Sequence, residues 1–132
     1  MSMSEVAKVP RHIRLHKASR TLELDYGDEE RFSLSCEYLR VYSPSAEVRG
    51  HGPGQESLQS GKKYVTIDAI EPVGNYALQF RFSDGHDSGI YSWAYLYELC
   101  REREQRWADY LSRLRAAGAA REPQGPVVIA RH

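Results

Sequence analysis

The stretch Ser83-Asp84-Gly85-His86-Asp87-Ser88 sets one imidazole among two carboxylates and two hydroxyls, the side chains that move protons or hold a metal. The simplest reading of the same six residues is a turn. Asp84-Gly85 bends the chain, and Asp87 or Ser88 caps a following helix. The other histidines are His12, His16, His51 and His132. His12 and His16 lie on one side of a predicted strand, but no third ligand accompanies them, and zinc needs three or four. His51 sits in the glycine-flanked phrase Arg49-Gly50-His51-Gly52 with no nucleophile beside it. Gly-x-Ser-x-Gly, the phosphate loop and HExxH are all absent. Because His86 and Asp87 are adjacent, they do not make the His-x-Asp element of a two-histidine, one-carboxylate iron site. The residues alone spell no complete active site; an enzyme using Asp84, His86 and Asp87 would lack a nucleophile or cofactor cradle.

The elements that must position His86 can be read from periodicity. Residues 1–11 form a tail. Two-residue alternation at Ile13 and Leu15, then Leu22, Leu24 and Tyr26, then Phe32 and Leu34 predicts a three-stranded meander turning near Ser19 and at Gly27-Asp28. Cys36 to Tyr42 has helical spacing and is stopped by Pro44. Ser43 to Lys62 is rich in glycine and nearly free of apolar residues, which predicts a long loop. A strand is expected from Tyr64 to Ile70, and Gly74-Asn75 turns it into another, with Tyr76, Leu78, Phe80 and Phe82 on one face. A long helix is expected from Ile90 to about Ala117, closed by Gly118, with Ile90, Trp93, Ala94, Tyr97 and Cys100 on its packing stripe. Farther along it, Trp107, Tyr110, Leu111 and Leu114 either overhang the sheet as an interaction surface or bend back into the protein's own core. The expected fold is α+β: a small antiparallel sheet, meander plus hairpin, packed on one long C-terminal helix, with a short helix after the third strand. Residues 12–117 form one domain and 118–132 a flexible tail.

Lysine plus arginine and aspartate plus glutamate both number 18, so no net field favours nucleic acid or an anionic membrane. Only Cys36 and Cys100 are present, and no apolar run approaches a membrane span. A cytoplasmic location with both thiols free is expected.

Two segments carry a resemblance: Tyr38-Leu39-Arg40-Val41-Tyr42-Ser43-Pro44-Ser45-Ala46-Glu47-Val48, and Phe82-Ser83-Asp84-Gly85-His86-Asp87-Ser88-Gly89-Ile90-Tyr91. Both are similar to signatures of the gamma-butyrobetaine hydroxylase-like N-terminal domain, formerly a domain of unknown function, and the resemblance spans roughly residues 10 to 100. In that family the domain precedes the oxygenase of carnitine-pathway hydroxylases, is appended to some iron–sulfur carrier ATPases, and occurs as small bacterial proteins. The hydroxylases bind zinc there through Cys-Pro-Cys-x-x-Cys and the histidine of the second signature. In this chain Ser43, Ser45 and Val48 stand at the cysteine positions, while Pro44 and His86 remain. The resemblance therefore implies a lost zinc site, since serine is a poor ligand, valine is none, and Cys36 lies outside the pattern. It implies a non-catalytic accessory module with a protein partner, iron–sulfur or oxygenase related. The alternative is weak iron or zinc binding through His86 with His51, Cys36 or acids of the 43–62 loop.

Overall fold

The first alternating segments pair as expected. In a computed structural model, which describes residues 8–50 and 56–123, β1 (His12–His16), β2 (Thr21–Gly27) and β3 (Glu30–Ser35) form an antiparallel sheet in the order β1-β2-β3. Leu22, Leu24 and Tyr26 on β2 point inward, and Leu22 pairs with Leu34. The Gly27-Asp28-Glu29 connection keeps all three residues at positive φ, 79°, 49° and 66°, which suits the glycine and is costlier for the two acids. Helix α1 (Cys36–Val41) follows directly. Its N-cap Ser35 accepts the Tyr38 amide at 3.0 Å, and all six of its residues are buried.

The 43–62 segment contains a structured turn, α2 (Ala46–Arg49), capped by Ser45. The next strand, β4 (Ile67–Val73), begins three residues later than Tyr64 and also ends later. Val65 closes a turn onto Lys62, and ladder pairing starts only where Thr66 and Ser83 exchange hydrogen bonds. Tyr64 is left half exposed, flanked by Arg20 and Lys63. Strand β5 (Ala77–Phe82) places Leu78, Phe80 and Phe82 in the core as expected, whereas Tyr76 lies before it and is exposed.

The largest correction falls at residues 90–92. They form β6 (Ile90–Ser92), paired to β5 through Leu78 and Tyr91, so that β4, β5 and β6 make a second three-stranded sheet. The six strands thus divide between two small sheets. The helix starts at α3 (Trp93–Arg101), capped by Ser92 rather than by Asp87 or Ser88. Its inward stripe is Leu96, Leu99 and Cys100, and Ile90 and Ala94 are exposed. Tyr91 fits strand and helix equally by local preference, and the edge of β5 decides the matter by satisfying its backbone groups in a ladder.

The helix is also interrupted. Glu102 leaves helical geometry (φ −106°, ψ 18°), and α4 (Arg103–Ala117) sets off from there, ending at the left-handed Gly118. The break lets Tyr110 and Leu114 close over Val41, with Trp107 and Leu111 packed at the margin. Tyr110 is 1% and Leu114 3% exposed, so the apolar overhang considered for Trp107, Tyr110, Leu111 and Leu114 is not formed. The same closure holds residues 118–123 in place. Gly61 and Lys63 donate amides to Ala120 and Arg121, and the Arg121 guanidinium grips buried Glu37 through three bonds, 2.8, 3.0 and 3.3 Å. The beginning of the expected 118–132 tail is therefore part of the fold, and residues 124–132 lie outside the described residues. The architecture is α+β, with one main core drawn from both sheets, α1 and α3. Among the described residues no helix is long and apolar enough to cross a membrane.

Candidate functional site

The turn carrying His86 is held from three directions. Asp84 Oδ1 accepts the His86 amide at 3.2 Å, and the His86 carbonyl accepts the Phe82 amide at 2.9 Å. Asp84 Oδ2 accepts from Arg40 Nε at 2.9 Å and Lys62 Nζ at 2.6 Å. Burial alone would raise the Asp84 pKa, but Lys62, the His86 amide and Arg40 outweigh it and hold the carboxyl at about 2. Asp84 is therefore committed to structure. Asp87 is exposed and contributes its carbonyl to Gln79. The enzyme arrangement of Asp84, His86 and Asp87 is thus not assembled around one reacting point.

The His86 side chain is only 5% exposed. Its Nε2 lies 2.9 Å from Ser43 Oγ, and its Nδ1 lies 3.2 Å from Glu47 Oε1. Burial, and secondarily the Arg40 charge, lower its pKa, while Glu47 and Asp84 oppose the shift. A neutral ring has one N–H and one lone pair, and the network closes if Nδ1 donates to Glu47 and Nε2 accepts the Ser43 hydroxyl. Ser43 Oγ also accepts the Ser45 amide at 3.2 Å. Ser45 Oγ meets Ser88 Oγ at 2.7 Å and accepts the Glu47 amide, which caps α2. Val48, the third position of the signature, is buried one turn on and donates its amide to Ser45. Ser43, Ser45 and His86 are therefore brought together across 43 residues of chain by hydrogen bonds.

Ser43, His86 and Glu47 have the connectivity of a nucleophile, base and orienting carboxylate. Ser43 is, however, 1% exposed, and its oxygen already accepts the Ser45 amide. Arg40, buried beside this cluster, keeps Nη1 without a partner among the described residues.

The remaining sequence candidates lie elsewhere. Cys36 belongs to the main core, where burial raises its pKa, and the buried Cys100 thiol is pushed up to about 12. Both are free. His16 pairs with Glu23 at 3.1 Å and His12 stands opposite Asp25, both on the exposed face of β1. His51 and His132 lie outside the described residues. Among the described residues no three histidine, cysteine or acidic side chains are grouped as metal ligands. Sequence reasoning missed Glu47, Arg40 and Lys62 as neighbours of the His86 turn. A weak signal existed for Glu47, because Ser45 before Ala46-Glu47-Val48 reads as a helix cap. Arg40 and Lys62 carry no local signal, being 44 and 22 residues from Asp84.

The family model described as "Gamma-butyrobetaine hydroxylase-like, N-terminal" matches residues 13–97. Two NMR solution structures are similar over nearly the whole chain. One is 52% identical with a TM-score of 0.79, covering 94% of this chain and 98% of the other. The second is 47% identical with a TM-score of 0.77, covering 100% and 98%. A crystal structure from Acidithiobacillus ferrooxidans, described as a protein of unknown function in the DUF971 family, is 38% identical with a TM-score of 0.58, covering 70% and 92%. No curated protein matches. The matched segment takes in both sheets, α1 and the His86 turn, and on it the chain belongs to the gamma-butyrobetaine hydroxylase-like N-terminal domain family.

Proposed function

We propose that this chain is a non-catalytic accessory module in which a side-chain hydrogen-bond network stands where hydroxylase relatives use zinc. One observation carries the reading: both ring nitrogens of His86 face side-chain oxygens, Nε2 in a buried hydrogen bond with Ser43 at 2.9 Å and Nδ1 beside the exposed Glu47 carboxylate at 3.2 Å. An imidazole satisfied in this way crosslinks the segment after α1 to the turn before β6 without an ion, and a metal at Nε2 would have to displace the Ser43 hydroxyl. Ser43, Ser45 and Val48 add no thiolate, and thiolates are what make structural zinc sites tight. The partner is an iron–sulfur or oxygenase-type protein, supported by the contexts in which the family's domain occurs and therefore by analogy.

A second reading, weak iron or zinc binding, is favoured by Glu47, an acid of the 43–62 loop whose carboxylate already lies against Nδ1. Elemental analysis of untagged protein separates the two. The accessory reading expects metal far below one ion per chain, unchanged in Glu47→Gln. A stoichiometric ion lost in Glu47→Gln or His86→Gln establishes the second reading. Co-purification with mass spectrometry tests the partner, and recovery of a solitary protein at native expression removes it.

A further inference from the structure

Helices α1, α2 and α4 border a half-open cavity of about 600 Å³, within the range of sites that hold small organic ligands. Its apolar lining comes from Val41, Leu58 and Tyr110. Three arginines, Arg49, Arg106 and Arg113, reach it against a single carboxylate, Glu56. Their commitments differ. Arg106 is held by Glu98 and Glu102, and Arg113 by Asp109 at 3.3 Å. Arg49 makes no ion pair among the described residues; its guanidinium lies over the Tyr95 ring, 4.9 Å from the centroid, and its side chain is exposed.

We propose that this cavity is a binding site for a small monoanionic carboxylate with an apolar body. A guanidinium presents a planar fork that matches a carboxylate with two parallel hydrogen bonds, and the Tyr95 ring beneath it holds the Arg49 charge at the cavity. The apolar lining gives the ligand's body a surface to leave water for, and Tyr110 is itself fixed by its hydroxyl bond to the Gln59 carbonyl at 2.7 Å. With Arg106 and Arg113 engaged by acids, Arg49 is the cation left, among the described residues, to meet a ligand carboxylate, and Glu56 disfavours a second negative charge. A dianion such as phosphate would leave half of its charge facing Glu56. The position also gives binding a route to the rest of the module, because Ser43 borders the cavity and is bonded to His86.

Benzoate, with neutral benzamide as its isostere, tests the site in an amide-resolved NMR titration of the full chain. Benzoate is expected to saturate and to shift the amides of Val48, Arg49, Leu58 and Gln59, with benzamide roughly tenfold weaker or worse. Arg49→Gln, a change at an exposed side chain, should weaken benzoate by a similar factor, while Arg14→Gln on β1 leaves it unchanged. Equal binding of the two probes, shifts centred elsewhere, an unaltered Arg49→Gln titration, or no saturation up to about 10 mM would each overturn the proposal. None of these outcomes bears on metal content or partner recovery, so the accessory reading stands or falls separately.

Discussion

Gly89 is the residue whose side-chain absence the His86 network most depends on. A Cβ built there would lie 2.4 Å from Ser43 Oγ, about 1 Å inside the 3.4 Å at which ordinary contact begins, with Pro44 Cδ at 3.2 Å and Tyr91 Cε1 at 3.3 Å. In Gly89→Ala the serine hydroxyl must swing away, because the proline and tyrosine have little room to give. That breaks the bond to His86 Nε2 and the one accepted from the Ser45 amide, leaving buried polar atoms unpaired at a cost of about 1–3 kcal/mol. The restricted unfolded chain returns about 0.4–1 kcal/mol, so a net loss of about 1–2 kcal/mol is expected. Urea denaturation measures it, and for a chain of this size the midpoint temperature should fall about 3–10 °C. The decisive comparison repeats the change in Ser43→Ala. With no hydroxyl to displace, only the Pro44 and Tyr91 contacts remain and Gly89→Ala should cost clearly less there, giving a coupling of about 1 kcal/mol between the two positions. An equal cost in both backgrounds, or no cost in the parent protein, would refute the reasoning.

The lowered His86 pKa means that the unfolded chain binds the proton more readily, so stability is fully present above pH about 6.5 and declines as the pH falls below it. Urea unfolding at pH 7.5 and 5.5 should show the decline, and His86→Gln should flatten it; an unchanged slope would mean that the ring is not shielded. Tyr91→Phe removes the hydroxyl that donates to the Leu39 carbonyl at 2.6 Å and should cost about 1–3 kcal/mol by the same unfolding assay, leaving a buried acceptor unpaired. A fluorophosphonate probe should leave Ser43 unlabelled, because the hydroxyl is covered; labelling by intact-mass measurement that disappears in His86→Gln would make the chain an enzyme.

The meander, the short α1 and the β5 face were legible because each follows from neighbours in sequence. Leu22, Leu24 and Tyr26 alternate, Cys36 to Tyr42 keeps helical spacing up to Pro44, and Phe80 and Phe82 cannot stay wet. The family could likewise be read from two short motifs, and with it the pairing of His86 with positions 43 to 48. Where Ile90-Tyr91-Ser92 would go could not be read. A run of three such residues is compatible with either state, and the exposed edge of β5 chose strand.

What the sequence determined alone was the set of groups present: one retained imidazole, hydroxyls and an aliphatic side chain at three cysteine positions, and a chain long enough for one core. Only the tertiary structure decided which of them meet. Glu47 reaches His86, Arg40 and Lys62 converge on Asp84, and Tyr110 turns inward past the break at Glu102 because long-range packing and burial set those contacts. Side-chain identity is a local property, but proximity across 22 or more residues is paid in chain entropy and recovered only when the whole core forms.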